Sequence, residues 1–243
     1  MNNKNNYKTV KIFKVIKEVP KVKIFVLETK LTALPGQYLM VWVPGVNEKP
    51  FAVVNSSPLT LLINKIGPTT EIIHQLKKGD KITYRGPYGT SFKLKNGKIL
   101  LVGGGYGVAP LYFLAKKAKE NKNEIKVIIG AKTKKDLCLV KDFKKITSQV
   151  FVSTDDGSSG FKGYASQLAK EILEKEEFAG VYTCGPILMM TRVVQLAKKK
   201  DIFCQVSLES FFKCGGYGLC GECSFKGRLV CREGPVFEGK ILL

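Results

Sequence analysis

The sequence predicts three parts in order: a small antiparallel β-barrel, a doubly wound parallel α/β domain, and a short cysteine-rich C-terminal module. Three observations carry this. Residues 7–65 break into short β-prone runs separated by Pro/Gly turns, the pattern of a barrel or sandwich. From Lys98 onward apolar strands alternate with amphipathic helices, with glycines at strand ends, which describes a parallel sheet with crossover helices. Four of the seven cysteines then fall between Cys214 and Cys231.

In the first part, YKTVKIFKVIKEV, KVKIFVLET, LPGQYLMVWVPG, PFAVVNSS and LTLLINKI read as successive strands. TEIIHQLKKGD follows as a short helix that Thr69 or Thr70 can cap and Gly79 ends. KITYRGPYGTSFKL returns to strand and loop. In the second part, KILLVGGG, EIKVIIGAK, QVFVSTDDG and GVYTCGP read as strands. GVAPLYFLAKKAKEN, KDLCLVKDFKKIT, YASQLAKEILEKE and ILMMTRVVQLAKKKD read as helices, and IFCQVSLES as a last extended segment. The expected boundaries are 1–96, 97–204 and 205–243.

A chain of 243 residues with 44% hydrophobic content has room for two ordinary globular cores. No apolar run approaches the ~20 residues that span a bilayer, so a soluble, cytoplasmic protein without membrane contact is expected. The formal net charge of +20 raises nucleic-acid binding as a reading. The lysines are scattered, however, with no basic stripe interleaved with aromatics, so no specific nucleic-acid partner is expected. A basic surface also attracts anionic cofactors and acidic protein partners. His74, the single histidine, reads as a packed or solvated side chain. The sequence has no Ser/His/Asp set and no pair of carboxylates at acid–base spacing.

The cysteines Cys214, Cys220, Cys223 and Cys231 are spaced C-x5-C-x2-C-x7-C in a glycine-rich wrap. Thiolates bind soft metals, and glycines let a backbone close round an inorganic core and turn N–H groups toward sulfide. The plant-type [2Fe–2S] pattern is C-x4-C-x2-C followed by a distant cysteine, and this loop has one extra residue in the first gap. A structural zinc knot is the main rival, although zinc ribbons usually show two C-x2-C pairs. Disulfides are a third option, disfavoured by the odd cysteine count and the lack of a secretory signal.

LLVGGGYGVAP, residues 100–110, is a strand, glycine loop and helix start, where backbone N–H groups and the helix dipole can hold a pyrophosphate. Asp155 and Asp156 follow another strand; they would repel a 2′-phosphate and can accept from ribose hydroxyls, or they form a solvated turn. Cys184-Gly185-Pro186 marks a further strand end, where a thiol suits a planar ring or is simply buried. Lys49 with Pro50 and Phe51, and Gly67 with two threonines at a helix start, are anion-binding opportunities or ordinary barrel architecture.

Taken together, the order KPFAV, GPTTEIIHQLKKGD, RGPYGTSF, LLVGGGYGVAPL, STDDGSSG, TCGP and a cysteine loop ending VCREGPVF resembles the ferredoxin–NADP reductase superfamily. Within it the chain resembles the electron-transfer subunits of class 1B dihydroorotate dehydrogenases over nearly its whole length. The C-terminal cysteine loop with its Gly234-Pro235-Val236-Phe237 tail is the most specific part. The resemblance implies a FAD-binding barrel, a NAD-binding domain and a [2Fe–2S] module. It implies electron transfer from dihydroorotate, through FMN in a catalytic partner subunit of a hetero-oligomer, to the cluster, then FAD, then NAD⁺. It places Lys49, Pro50, Phe51, Ala52 and Val53 in the flavin stretch, and Gly67, Thr69 and Thr70 in the second FAD phosphate segment. Gly104, Gly105, Gly107 and Pro110 match the nicotinamide-nucleotide loop. Two departures stand out. Lys49 replaces the usual arginine, turning a bidentate phosphate grip into a point charge. Ala52 replaces the usual hydroxyl residue, so a bond to the flavin ring must come from backbone.

Other readings remain open at this point. The same cofactors serve a ferredoxin–NADP transhydrogenase, a sulfide reductase or a hydrogenase module, and a basic zinc-binding module is the non-enzyme alternative.

Overall fold

The computed structural model describes residues 5–243. The chain forms two compact units. One comprises the chain up to Ser91 together with Glu209–Pro235; the other comprises Phe92–Leu208 with Val236–Leu243.

The first unit is built on β1 (Lys8–Val19), β2 (Val22–Leu27), β3 (Tyr38–Val43), β4 (Asn47–Ser56), β5 (Leu59–Asn64) and β6 (Lys81–Tyr88). These close an antiparallel barrel in the order β1-β2-β5-β4-β3-β6. Closure removes the exposed edges an open sheet would leave. Its interior takes Ile12, Phe25, Leu39, Val53, Leu61 and Ile63, all fully buried. Helix α1 (Pro68–Gln75) packs against β3, β4 and β5. It begins at Gly67, not at a threonine cap. Thr70 lies inside the first turn, and its hydroxyl accepts the N–H groups of Ile66 and Gly67 at 2.9 and 3.0 Å. The helix ends earlier than expected: Leu76 is already extended, and Gly79, at φ 91°, serves the following turn. His74 is packed, its ring against Phe25 and its Nε2 2.8 Å from the Ile63 carbonyl.

The cysteine segment completes this unit. It carries a small hairpin of β13 (Ser224–Phe225) and β14 (Arg228–Leu229), then α6 (Val230–Glu233).

The second unit contains β7 (Lys98–Gly104), β8 (Glu124–Ala131), β9 (Val150–Thr154), β10 (Phe161–Lys162), β11 (Gly180–Cys184), β12 (Cys204–Ser207) and β15 (Val236–Glu238). They form one sheet in the order β10-β9-β8-β7-β11-β12-β15. Its pairs are parallel except β12 with β15, which is antiparallel. Helices α2 (Val108–Glu120), α4 (Ala165–Lys175) and α5 (Ile187–Lys199) cover it. Leu100, Val102, Ile128, Ala169, Val181 and Val193 are among the side chains of its core. The central strands β7, β8 and β11 are buried along almost their whole length, which is why they read as largely apolar runs.

Three local outcomes differ from the sequence reading. Residues 135–147 do not form one helix: Leu139, at φ 59°, separates a short turn at Lys134–Asp136 from α3 (Val140–Lys144). Phe161–Lys162 adds a short parallel strand. The segments 205–208 and 236–243 belong with the sheet, while the cysteine loop belongs with the barrel. Among the described residues, no helix is long and apolar enough to cross a membrane.

Candidate functional site

The cysteine loop follows from its glycines. Gly215, Gly216, Gly218 and Gly221 take φ of 67°, 82°, 77° and 73°, values that L side chains rarely adopt. The resulting wrap turns the N–H groups of Gly218, Leu219 and Cys220 onto Cys214. Burial alone would raise the Cys214 pKa. These backbone bonds, with one from the Cys220 side chain, take it down to about 6, within reach of thiolate. Cys223 and Cys231 are buried free thiols hydrogen-bonded to each other, and burial first, then Cys223, pushes the Cys231 thiol up to about 12. The four thiols therefore fall into two neighbouring pairs, Cys214 with Cys220 and Cys223 with Cys231. A two-iron core takes two thiolates on each iron, so this donor set fits a [2Fe–2S] centre. Cys220 lies on the outside of the loop beside Leu219, which is 84% exposed.

Barrel side chains that the sequence does not flag hold this loop. The Tyr38 hydroxyl donates to the Cys231 carbonyl at 2.8 Å, and its ring packs on Phe212 with centroids 5.0 Å apart. Thr90 N–H donates to the Gly234 carbonyl at 2.8 Å. Arg85 is buried, with a bidentate pair to Glu48 at 2.7 and 2.6 Å. Its Nη2 also donates to the Gly215 carbonyl. The available signal was residue choice. Arg85 is one of four arginines among 40 basic residues, and arginine in a lysine-rich chain marks a place that needs a planar fork.

Lys49–Val53 lie on β4. Lys49, Pro50, Phe51 and Ala52 pair with Val41, Met40, Leu39 and Tyr38 on β3, while Val53 is buried against Leu61 of β5. Lys49 Nζ sits 4.0 Å above the Phe211 ring, and burial lowers its pKa. The barrel unit thus gathers Lys49–Val53, the start of α1 and the cysteine loop. At α1, Thr69 and Thr70 are buried, and Thr70 bonds backbone, which leaves N–H groups of the first turn as the donors for an anion.

In the sheet unit, Gly104 ends β7, Gly105 adopts φ 55°, Gly107 precedes α2 and Pro110 lies in its first turn. Parallel pairing of β7 with β11 brings this loop against Cys184 and Gly185. A Cβ on Gly107 would stand 2.7 Å from the Cys184 carbonyl oxygen, and one on Gly185 would stand 2.9 Å from Gly104 Cα. The four residues thus form one close-packed surface at the carboxyl ends of adjacent strands, where such sheets bind ligands. Asp155 and Asp156 follow β9, two strands from β7 on the same sheet end. Asp156 Oδ1 accepts from the Ser158 N–H at 2.9 Å and hydroxyl at 2.6 Å, and these bonds lower its pKa.

Comparison with known proteins agrees with this geometry. Residues 101–195 match the oxidoreductase NAD-binding domain, and residues 209–243 match the iron–sulfur cluster binding domain of dihydroorotate dehydrogenase B. The chain is 43% identical over 231 residues to a probable dihydroorotate dehydrogenase B (NAD(+)) electron transfer subunit of Methanocaldococcus jannaschii, covering 94% of this chain and 88% of the relative. The protein of the same description from Thermococcus kodakarensis is 39% identical over 237 residues, 98% of each chain. Among solved structures, an NADH-dependent reduced ferredoxin–NADP oxidoreductase described for flavin-based electron bifurcation superposes with a TM-score of 0.86 at 30% identity. That match covers 97% of this chain and 90% of the other.

Proposed function

The chain belongs to the family of dihydroorotate dehydrogenase B electron-transfer subunits, and from that premise we propose that it accepts electrons at its cysteine loop from an FMN-containing catalytic subunit that oxidises dihydroorotate, and delivers them to NAD⁺. The groups it carries are a [2Fe–2S] cluster, FAD and NAD(H). A bound flavin exchanges a hydride with nicotinamide and single electrons with an iron–sulfur centre, which is why both belong in one subunit.

The protein's own residues position these groups. Cys214, Cys220, Cys223 and Cys231 hold the cluster. The strand Lys49–Val53 and the start of α1 at Gly67, Thr69 and Thr70 hold FAD. Lys49 supplies a point charge to the pyrophosphate, and the backbone at Ala52 supplies what the missing hydroxyl would have given. Gly104, Gly105, Gly107 and Pro110 receive the pyrophosphate of NAD. Cys184 and Gly185 lie beside its nicotinamide end, and Asp155 and Asp156 lie toward its ribose.

One observation carries this reading: the four-thiol loop is folded onto the strand pair that contains the flavin stretch, since Tyr38 pairs with Ala52 and bonds Cys231. Exposed Cys220 and Leu219 give the cluster an outward edge toward the partner. The relatives that carry this family's description match over 84–98% of this chain at 37–43% identity, which favours this partner over a ferredoxin, sulfide or hydrogenase assembly. The test is Cys220→Ser in the complex. Dihydroorotate-driven reduction of NAD⁺ should be lost while NADH still reduces the flavin; a folded variant whose flavin no longer responds to NADH contradicts the assigned order.

A further inference from the structure

We propose that Arg85 is a positioning residue for the cluster, clamping the first half of the cysteine loop to the strand that carries the flavin stretch. The inference rests on the cluster reading above and concerns how the loop is fixed. Arg85 projects from β6 and is only 1% exposed. Its fork closes on Glu48, the residue immediately before Lys49 on β4, with Nε to Oε1 at 2.7 Å and Nη2 to Oε2 at 2.6 Å. Nη1 donates to the Tyr88 hydroxyl at 3.0 Å. Nη2 also donates to the carbonyl of Gly215, the residue after Cys214. The Tyr217 ring covers the guanidinium at 4.4 Å, with Tyr88 at 5.3 Å. One side chain thus engages β4, β6 and two points of the loop.

The loop is shaped for this contact. A Cβ at Gly215 would stand 2.6 Å from Arg85 Nη2 and 2.7 Å from Glu48 Oε2, so only glycine lets the backbone reach the pair. At Gly216 a Cβ would stand 3.0 Å from the Tyr38 hydroxyl. Lysine cannot replace this arginine: an ammonium is a point charge and cannot serve a carboxylate bidentately while also facing a tyrosine and a carbonyl. The pair also has an electrostatic consequence. Glu48 balances Arg85 next to the loop, and reduction adds negative charge to a cluster. Removing the carboxylate alone leaves an uncompensated cation that favours the reduced form.

The experiment compares the purified full-length holoprotein with Arg85→Lys and Glu48→Gln. Flavin content and melting temperature report whether the barrel is folded. Arg85→Lys should release iron to a chelator roughly tenfold faster or more, the scale of losing one charge-assisted bond, and should alter the electron paramagnetic resonance spectrum of the reduced cluster. Glu48→Gln should raise the cluster's midpoint potential. If Arg85→Lys does not fold, Tyr217→Leu, which uncovers the guanidinium but keeps the pair, should speed iron release in the same direction. Wild-type iron release, spectrum and potential in folded variants overturn the proposal. A wild-type protein without any cluster instead overturns the reading on which it rests.

Discussion

The Tyr38 hydroxyl donates to the Cys231 carbonyl at 2.8 Å, while the Tyr38 backbone pairs with Ala52 on the neighbouring strand. Burial raises the Tyr38 pKa, so the phenol stays a donor at any physiological pH. A proposed cluster ligand is thereby tied to the proposed flavin strand through one side chain. Tyr38→Phe keeps the ring on Phe212 and removes only this bond. Leaving a buried carbonyl unpaired should cost about 1–3 kcal/mol in denaturant unfolding, with faster loss of iron to a chelator. Unchanged stability would show that water replaces the hydroxyl.

Gly107→Ala tests the nucleotide loop. Gly107 has ordinary helical angles, φ −60° and ψ −9°, so no backbone strain is involved. The added methyl meets the Cys184 carbonyl oxygen and Gly185 Cα at 2.7 and 2.8 Å, both main-chain atoms that cannot rotate away. The strands must part, costing about 1–3 kcal/mol. The variant should melt lower and bind NADH more weakly; unchanged NADH affinity in titration would place the nucleotide elsewhere.

Asp155 and Asp156 are distinguishable. Asp156 is engaged by Ser158 and shapes its turn, so Asp155 is the carboxylate proposed to meet the ribose. Asp155→Ser should improve the kcat/KM for NADPH relative to NADH roughly tenfold. Removing one charge near a 2′-phosphate is worth about 1–4 kcal/mol at close range. A preference unmoved by Asp155→Ser but abolished by Asp156→Ser would reverse the assignment.

His74 gives a pH signature. Burial lowers its pKa, Lys23 and Lys65 lower it further, and the bond to Ile63 offsets them only in part. The folded state therefore binds the proton less readily than the unfolded chain, whose histidine titrates near 6.5. Stability from this group is complete above about pH 6.5 and is lost as pH falls toward the lower folded value. It is the single histidine in the chain, so urea midpoints between pH 7.5 and 5 should decline less steeply in His74→Gln. Parallel declines would assign the dependence to carboxylates.

Much of this architecture was legible in the sequence for physical reasons. β7, β8 and β11 are buried along almost their whole length, so KILLV, IKVII and GVYTC are mostly apolar; the exceptions include Lys126, which is buried and paired with Glu176, and Thr183. The cysteine loop announced itself because thiol spacing and left-handed glycines are local properties. What stayed hidden is long-range. Nothing near Glu48 indicates that a side chain 37 positions later closes on it, or that Arg85 reaches Gly215 across 130 positions. Nothing in VFE indicates that β15 returns antiparallel to β12. Gly79 looks like a helix terminus in the sequence, but α1 stops at Leu76 and the glycine, at φ 91°, serves a later turn.

Thiolate-bound iron and a flavin are proposed to share the barrel unit and exchange electrons. Anaerobic titration of the purified full-length protein with NADH, followed by absorbance and electron paramagnetic resonance, tests it most directly. Brown-yellow material with roughly two irons and two sulfides per flavin is expected, as a [2Fe–2S] centre requires. NADH should bleach the flavin and bring up the signal of a reduced [2Fe–2S] cluster. A colourless iron-free protein, or a flavin that NADH bleaches while the cluster stays oxidised despite a suitable potential, would contradict it.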